Sequence, residues 1–355
     1  MPVVWDERHR GHAPGAGIWL VVSIPGDEEP ERGDALGDAL RKAGAELQPA
    51  TEHRDEPLLQ VHAPAFVAYL ESAHRRWVEE GHLDDPGQPV VVPYVFALPH
   101  VTSARPGRQP TAIRALAGLY AMDTMTLIGP GTYAAARVAV DGALTACDRM
   151  LGGARAAYAA VRPPGHHVGT DFYGGSCYLN NAAVAAQYLR DRGVGRVAII
   201  DIDAHHGNGT QEIFYARRDV FYGSAHVDPA QGWFPHFVGF ADEHGSGDGV
   251  GANRNLPLPE GAGDEVWLRA VTELAEAANE WGADALVVSL GVDGAAADPN
   301  SPFELTPGGY AAIGETLGAM KIPTVLVQEG GYVLDTLGDL VLATLRGFEK
   351  AQETP

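Results

Sequence analysis

Residues 201–209 combine two carboxylates and an imidazole at alternate positions: Asp201, Asp203 and His205. They directly follow the apolar run 197–200, which we interpret as a buried strand. Because side chains alternate along a strand, all three are expected to point the same way. Such groups are costly in a core and typical as ligands of a divalent cation. The stretch therefore predicts a metal site, with a polar turn that binds no metal as the alternative.

A rigid turn of two prolines and a glycine precedes two adjacent histidines, His166 and His167. Proline fixes the backbone, and glycine allows it to turn tightly. Imidazole titrates near neutral pH, so a fixed pair of imidazoles suits proton transfer. The alternative interpretation is a proline-rich turn with two solvated histidines.

Two more polar residues follow apolar runs later in the chain. Asp293 comes shortly after residues 285–290, as Asp203 does after its own run, and could complete a site of two carboxylates and one imidazole. Tyr332 follows residues 324–328 and two glycines, and its hydroxyl could stabilise an oxyanion. A buried aromatic side chain after a turn is the alternative for Tyr332. Together the four clusters indicate metal-dependent hydrolysis.

The elements that must position these groups alternate between strand and helix. Residues 155–161, 197–200, 285–290 and 324–328 are predicted as strands, and residues 181–192, 266–281 and 310–320 as helices. This alternation predicts one α/β domain over residues 1–355, with a central parallel sheet covered by helices on both faces. Functional residues of such sheets gather at the carboxyl ends of the strands. Residues 84–114, rich in proline, are predicted to form a long loop.

Composition limits the function and the location. Asp and Glu number 46 against 25 Lys and Arg, so the formal net charge is −21. Such a charge disfavours nucleic acid and would attract cationic substrates, or it serves only solubility. Cys147 and Cys177 are the only cysteines, which excludes a disulfide framework. The sequence shows no signal peptide and no apolar run of membrane-spanning length, so a cytoplasmic location without membrane contact is expected.

These motifs, in this order and spacing, resemble the histone deacetylase-like family of the arginase–deacetylase fold. The closest subgroup is that of the acetylpolyamine amidohydrolases. The clear match covers about residues 123–345, including residues 180–183, 207–211 and 234–237, while the N-terminal third matches loosely. The resemblance implies a central sheet of about eight strands. It also implies hydrolysis of acetyl or other short acyl groups on an amine, which would be a polyamine, a lysine or a small metabolite.

The resemblance also implies roles for individual residues. One Zn²⁺ per chain would be held by Asp203, His205 and Asp293. The catalytic residues implied are His166 oriented by Asp201, His167 facing Asn208, and Tyr332 as donor to the carbonyl oxygen. A structural K⁺ is expected near Asp201 and Ser224. For substrate binding, the implied residues are Asp123 at the rim and Gly175 and Phe234 along the acyl channel.

Two alternative functions stay open at the level of sequence, and the sequence departs from the family pattern at two positions. A binuclear manganese amidinohydrolase would need carboxylates at two positions that are Gly207 and Gly291 here, and an acyl-group binder would lack part of the catalytic set. Met125 occupies a position that is acidic in polyamine-specific members, and Ser176 one that is usually aromatic. These departures predict a wider and more neutral channel mouth. A homodimer formed through residues 84–114, with apolar residues 90–98, is also expected.

Overall fold

The computed structural model describes residues 1–19, 22–97 and 110–353. Its centre is an eight-stranded parallel sheet in the order β4-β1-β5-β10-β9-β6-β7-β8. The sheet strands are β1 (Val3–Val4), β4 (Leu47–Gln48), β5 (Ala156–Ala159), β6 (Val197–Asp201), β7 (Val220–Val227), β8 (Asn253–Leu258), β9 (Ala285–Leu290) and β10 (Thr324–Gln328). A separate antiparallel hairpin consists of β2 (Gly17–Trp19) and β3 (Val22–Ile24).

Ten α-helices are described. They are α1 (Pro30–Lys42), α2 (Glu56–Leu59), α3 (Pro64–Glu79), α4 (Ile113–Tyr120), α5 (Thr132–Leu151), α6 (Asn181–Asp191), α7 (Asn208–Phe214), α8 (Asp264–Trp281), α9 (Pro307–Gly318) and α10 (Leu334–Glu353). Short 3₁₀ turns occupy Glu7–Gly11, Pro229–Gln231 and Gly247–Gly249. Within the described ranges, no helix combines the length and apolar character that a bilayer crossing requires.

The alternation of side chains along the strands divides the core into two layers. In β6, Val197 and Ile199 pack with α3 to α6, while Ala198 and Ile200 pack with α1 and α8 to α10. Every residue of β6 is buried, as expected for a strand covered on both faces. The predicted single α/β domain, with a central parallel sheet and helices on both faces, is thereby confirmed.

The predicted bounds of β9 and β10 agree with the structure. The strand predicted over residues 155–161 is shorter in the structure, where it is β5. The sequence analysis did not predict four of the sheet strands, β1, β4, β7 and β8. β1 and β4 have two residues each, too few for a periodic pattern. β7 and β8 interrupt their apolar positions with polar ones such as Ser224 and Asn255, and β8 also holds Pro257, which its place at the sheet edge tolerates.

The predicted loop 84–114 is described only in part. Its residues 84–97 form turns and irregular backbone, with Val91 bridging to Ile128. Helix α4 begins at Ile113, so the irregular segment ends before residue 114. Residues 98–109, which include Leu98 of the apolar stretch, lie outside the described residues.

Candidate active site

The strand that leads into the site ends earlier than the alternation argument requires. Strand β6 ends at Asp201, and the chain then bends through Asp203 and His205. The bend is held by backbone donors, because Asp203 N donates to Asp201 Oδ1 at 3.1 Å and His205 N to Asp203 Oδ1 at 3.0 Å. The strand alternation on which the expectation of a shared direction rests therefore does not extend beyond Asp201. Asp201 contacts His166 Nδ1, and Asp203 lies 3.7 Å from the other ring nitrogen of the same histidine. His205 contacts both Asp203 and Asp293.

Asp203, His205 and Asp293 form the candidate metal centre, and one ligand atom from each lies within 4.8 Å of the others. His205 Nδ1 is 3.1 Å from Asp293 Oδ2 and 3.3 Å from Asp203 Oδ1. Both aspartates are buried, and the histidine is partly exposed towards a cavity. Two carboxylates and one imidazole, with access from one side, suit a catalytic divalent cation with an open coordination position. The residues therefore fit such an ion.

The charges of this triad favour a cation. Burial disfavours the charged imidazole, but Asp203 and Asp293 outweigh it and raise the pKa of His205 to about 10. Burial, together with the charge of Asp203, raises the pKa of Asp293 to about 7. Two carboxylates thus hold a proton on or beside His205. A metal ion would displace that proton, because ligands bind metals in their deprotonated form.

Three glycines let the backbone approach these carboxylates closely. A Cβ atom at Gly291 would lie 2.2 Å from Asp203 Oδ2, and one at Gly330 would lie 2.4 Å from Asp293 Oδ2. At Gly207, a Cβ atom would lie 2.3 Å from Asp201 Oδ2. Any side chain at positions 207 and 291 would therefore overlap a carboxylate. This crowding argues against a second metal ion held by side chains at those positions.

The two adjacent histidines have different partners. His166 Nδ1 lies 3.0 Å from Asp201 Oδ2, and His167 Nδ1 lies 2.7 Å from Asn208 Oδ1. Their ring centroids are 4.0 Å apart. Since an amide oxygen only accepts, His167 must donate from Nδ1, which leaves its Nε2 as the acceptor when the ring is neutral.

These partners move the two pKa values in opposite directions. Burial lowers the pKa of His166, but the carboxylates of Asp203 and Asp201 more than offset this and raise it to about 10. Burial, followed by the positive charges of His166 and His205, holds the pKa of His167 well below its usual range. At neutral pH the pair thus holds one imidazolium and one neutral imidazole.

Glu329 supports the histidine turn, and the sequence analysis assigned it no role. Its Oε2 accepts from Gly165 N at 2.6 Å and from His166 N at 3.1 Å. Burial raises the pKa of Glu329 to about 7. A carboxylate directly after the apolar strand β10 was the sequence signal that could have identified Glu329.

Glu329 forms a second cluster of possible metal ligands with Cys177 and His166. His166 is engaged by Asp201, and burial holds the pKa of the Cys177 thiol well above its usual range. This cluster therefore suits a metal ion poorly.

Tyr332 is partly buried and lines the same cavity as His167 and His205. Arg32 supports it: the guanidinium lies 4.7 Å from the tyrosine ring centroid, and Nε donates to Gly331 O at 2.6 Å. The backbone N of Tyr332 donates to Asp298 Oδ2 at 2.8 Å. Contacts on both sides thus fix the tyrosine beside the metal centre.

The cavity has a volume of about 500 Å³ and opens to solvent. The residues expected to bind substrate all line it: Asp123, Gly175 and Phe234. Asp123 Oδ2 accepts from Gly175 N at 2.6 Å, and the Phe234 ring lies edge-on to His167 with centroids 4.8 Å apart. Met125 and Ser176 also line the cavity. Outer residues that the sequence analysis did not identify include Trp19, Asp27 and Trp233.

The residues expected to hold a monovalent cation are neighbours in the sheet. Asp201 in β6 pairs in register with Ser224 in β7. The Ser224 hydroxyl contacts His226 Nδ1 at 2.8 Å, while Tyr222 donates its hydroxyl to Asp201 Oδ2 at 3.2 Å. Both side chains thus have protein partners, and a K⁺ ion beside them stays a prediction.

The fold and the site together define an α/β protein with a candidate metal centre beside a polarised histidine pair. The histone deacetylase domain model matches residues 27–348, which includes much of the N-terminal third. Acetylpolyamine amidohydrolase 1 of Pseudomonas aeruginosa and acetylpolyamine amidohydrolase of Mycoplana ramosa are each 40% identical over 349 residues, covering 98% of this chain and 99% of the relative. The crystal structure of acetylpolyamine aminohydrolase from Burkholderia pseudomallei superposes with a TM-score of 0.92 at 36% identity, covering 99% of both chains. The chain belongs to the histone deacetylase domain family, as its motifs predicted, and its relatives' names support a hydrolase.

Proposed function

We propose that the protein is a zinc-dependent amidohydrolase that removes acetyl or other short acyl groups from an amine. The observation that carries this proposal is a two-carboxylate, one-imidazole centre beside a histidine pair in which one ring contacts a carboxylate and the other an amide. His205 of the centre and His167 of the pair line one cavity. The names of the relatives support acetylated amines as substrates.

Asp203, His205 and Asp293 would hold the zinc ion. When bound, zinc supplies a Lewis acid that lowers the pKa of water and polarises an acyl carbonyl. Oxygen and nitrogen ligands would also accept iron or cobalt, so the choice of zinc rests on the family. The bound cation would cancel much of the charge of Asp203, which leaves Asp201 as the carboxylate that keeps His166 protonated.

The chain's own groups then have distinct tasks. Neutral His167, with Nε2 free to accept, takes a proton from the attacking water and afterwards delivers it to the departing amine. Protonated His166 stabilises the negative charge that develops beside it, and Asn208 holds His167 in the required tautomer. The Tyr332 hydroxyl donates to the carbonyl oxygen as that oxygen becomes an oxyanion.

Three residues would position the substrate. Three backbone N–H groups, those of Met125, Thr126 and Gly175, fix the Asp123 carboxylate at 2.6 to 2.8 Å, so it presents a rigid acceptor for the amide N–H of a substrate. Gly175 and Phe234 would form the walls around the acyl group. A Cβ atom at Gly175 would lie 2.2 Å from His167 Cδ2, so this wall must be glycine.

Replacement of one proposed ligand tests the metal centre. We expect Asp203→Ala to lose hydrolysis of an acetylated amine and bound zinc together, because a three-ligand site cannot hold the ion with two side chains. Metal content is measured by elemental mass spectrometry, and hydrolysis by release of acetate. Asp248→Ala, which removes an exposed carboxylate outside the cavity, is the matched control.

Stoichiometric zinc with near-native turnover in Asp203→Ala would contradict the assignment of ligands. Manganese at two ions per chain in the unaltered protein would instead favour the binuclear alternative. Zinc without hydrolysis of any acylated amine would favour the acyl-group binder.

A further inference from the structure

We infer that Glu243 is a positioning residue that holds the Phe234 wall of the acyl channel against His167. The inference rests on the proposed deacylase function and identifies a residue that sets its acyl-chain preference. Glu243 is partly buried and lies in the segment 228–252 between β7 and β8, which also carries Phe234. It is not among the described residues that line the cavity, so it would act on a substrate only through Phe234.

The Phe234 wall needs support from both sides along the chain. The ring lies edge-on to His167, with centroids 4.8 Å apart. Before it, Trp233 Nε1 donates to Glu260 Oε1 at 2.7 Å, but this contact is exposed, and water competes for such a contact. After it, the chain turns, with His236 N donating to Trp233 O at 3.0 Å. The firmer anchor therefore has to follow this turn.

That anchor is the carboxylate of Glu243, on which three N–H donors converge. Its Oε2 accepts from Gly239 N at 3.0 Å, from Gln211 Nε2 at 2.6 Å and from Asn255 Nδ2 at 3.0 Å. Gly239 belongs to the segment of Phe234, whereas Gln211 in α7 and Asn255 in β8 are buried. One oxygen atom thus ties the segment to a helix and a strand of the domain.

Gly239 is held closely at this point. Its φ of +106° lies in the left-handed region that favours glycine, and a Cβ atom would lie 2.8 Å from His206 Cγ and 2.9 Å from His226 Nε2. Both histidines are buried, and His226 Nε2 donates to Gly239 O at 2.8 Å. The N–H of Gly239 is thus held by Glu243 and its carbonyl by His226. Loss of the Glu243 carboxylate would release the N–H side.

The same network reaches the other support of His167. Helix α7 begins at Asn208, whose Oδ1 lies 2.7 Å from His167 Nδ1, and Gln211 lies one turn later in that helix. An effect of Glu243 through Asn208 would change the turnover of every substrate alike. An effect through Phe234 depends on the length of the acyl group, because Phe234 forms the wall around that group. The ratio between two acyl lengths therefore isolates the wall.

Two amides of one amine test the inference, N-acetyl- and N-butyryl-1,4-diaminobutane. Because a fitted apolar pocket discriminates one methylene by about 10- to 200-fold, we expect Glu243→Ala to lower the acetyl-to-butyryl ratio of kcat/KM by about 3- to 10-fold as the wall recedes. Glu243→Gln should keep a ratio close to that of the wild type, since its amide oxygen still accepts from the three donors. Asp242→Ala, which removes the exposed neighbouring carboxylate, is the matched control.

A double replacement shows whether Glu243 acts through Phe234. Phe234→Ala alone should lower the ratio, and Glu243→Ala should lower it no further in that background, because both changes remove the same wall. Effects that multiply would overturn the inference. Glu243→Asp keeps the charge but draws the oxygen back by one methylene group. It should lower the ratio in the same direction, and it replaces Glu243→Ala if that variant does not fold.

The outcomes separate this inference from the function on which it rests. A wild-type ratio in Glu243→Ala or in the folded Glu243→Asp, with both amides hydrolysed, would overturn the role of Glu243 alone. A loss in Glu243→Gln as large as that in Glu243→Ala would overturn the role of the acceptor oxygen. An equal loss in Asp242→Ala would overturn it too, because the effect would then come from net charge. If the wild type hydrolyses no acylated amine, the proposed function fails and the inference fails with it.

Discussion

The two adjacent histidines show how neighbouring groups give the same side chain two different states. His166 and His167 share a backbone turn and full burial, yet one contacts a carboxylate and the other an amide. The carboxylate stabilises a positive charge and the amide does not. A proton acceptor and a cationic group can therefore lie side by side, with ring centroids only 4.0 Å apart.

The first prediction concerns these histidines. His167→Ala should reduce turnover more than His166→Ala does, since His167 carries the proton and His166 contributes charge. Loss of a general acid–base group costs roughly 10²- to 10⁴-fold in rate. Pre-steady-state and steady-state turnover of both variants, with zinc content as a control for folding, provides the comparison. A nearly active His167→Ala beside an inactive His166→Ala would reverse the two roles.

Tyr332→Phe tests the proposed oxyanion donor. Removal of one donor to a developing oxyanion typically lowers turnover by roughly 10²- to 10³-fold. Binding of zinc should survive, because the tyrosine hydroxyl is not among the proposed ligands and the ring keeps its contact with Arg32. Turnover and metal content are measured on the same preparation. Unchanged turnover would exclude the role, and loss of zinc would make Tyr332 a structural residue.

At the scale of elements, the site is built by the ends of three neighbouring strands. β10, β9 and β6 are adjacent in the sheet, and they are followed by Tyr332, Asp293 and the pair Asp203 and His205. Because parallel strands end at the same edge, residues far apart in the chain meet there. The loops that meet are then tied together by buried polar contacts away from the metal centre.

One such contact is His62, between α2 and α3. Its Nδ1 donates to Gly169 O at 2.9 Å, and its Nε2 accepts from Asn180 N at 3.0 Å. The neutral ring satisfies both contacts, whereas a protonated ring would place its own Nε2–H against the backbone N–H of Asn180, so that contact would be lost. Burial accordingly lowers the pKa of His62 to about 4.

We predict a pH-dependent contribution of His62 to stability. Between pH 6.5 and about 4 the unfolded chain binds a proton at His62 and the folded chain does not, so the free energy of unfolding falls as the pH falls. One proton corresponds to about 1.4 kcal/mol per pH unit. His62→Gln should reduce this slope by up to that amount in urea unfolding between pH 7 and pH 5. The partly exposed His74→Gln serves as control, and an unchanged slope in His62→Gln would contradict the assignment.

At the scale of the whole molecule, exposed apolar residues in the described part of the predicted loop 84–114 indicate a contact surface. Tyr94 is 75% exposed and Val95 is 51% exposed, which is unusual for adjacent large apolar side chains. Val91 and Ile128 anchor the segment to the domain by a backbone bridge. The expected homodimer through this loop therefore stays a prediction with a defined surface.

Light scattering at micromolar concentration should report twice the chain mass of 37.5 kDa. The double replacement Tyr94→Ser and Val95→Ser should shift the population towards the monomer, because it removes apolar surface that a partner would bury. Leu151→Ser, which alters an exposed leucine at the end of α5, is the control. A monomeric mass for the unaltered protein would contradict the predicted homodimer.

Sequence by itself determined the class of fold and predicted most residues of the candidate site. The buried strands β6, β9 and β10 are mostly apolar, and the polar groups that follow them lie at the carboxyl ends of the strands, where the functional residues of such sheets gather. Strands β1 and β4 were too short to carry a pattern. The polar residues of β7 and β8 obscured the pattern of those strands, because residues such as His226 and Asn255 are satisfied by contacts outside the strand, with Gly239 and Gln211.

Only the tertiary structure decided how the charges are distributed. The bend after Asp201 places Asp201 and Asp203 at different ring nitrogens of His166 and brings His205 to Asp293, and no local periodicity encodes that bend. Asp27 and Glu28 are neighbours in sequence and both line the cavity, but Glu28 is buried and neutralised by two arginines while Asp27 is exposed. Adjacent carboxylates look alike in a sequence, because their energies depend on partners that only the folded chain brings near.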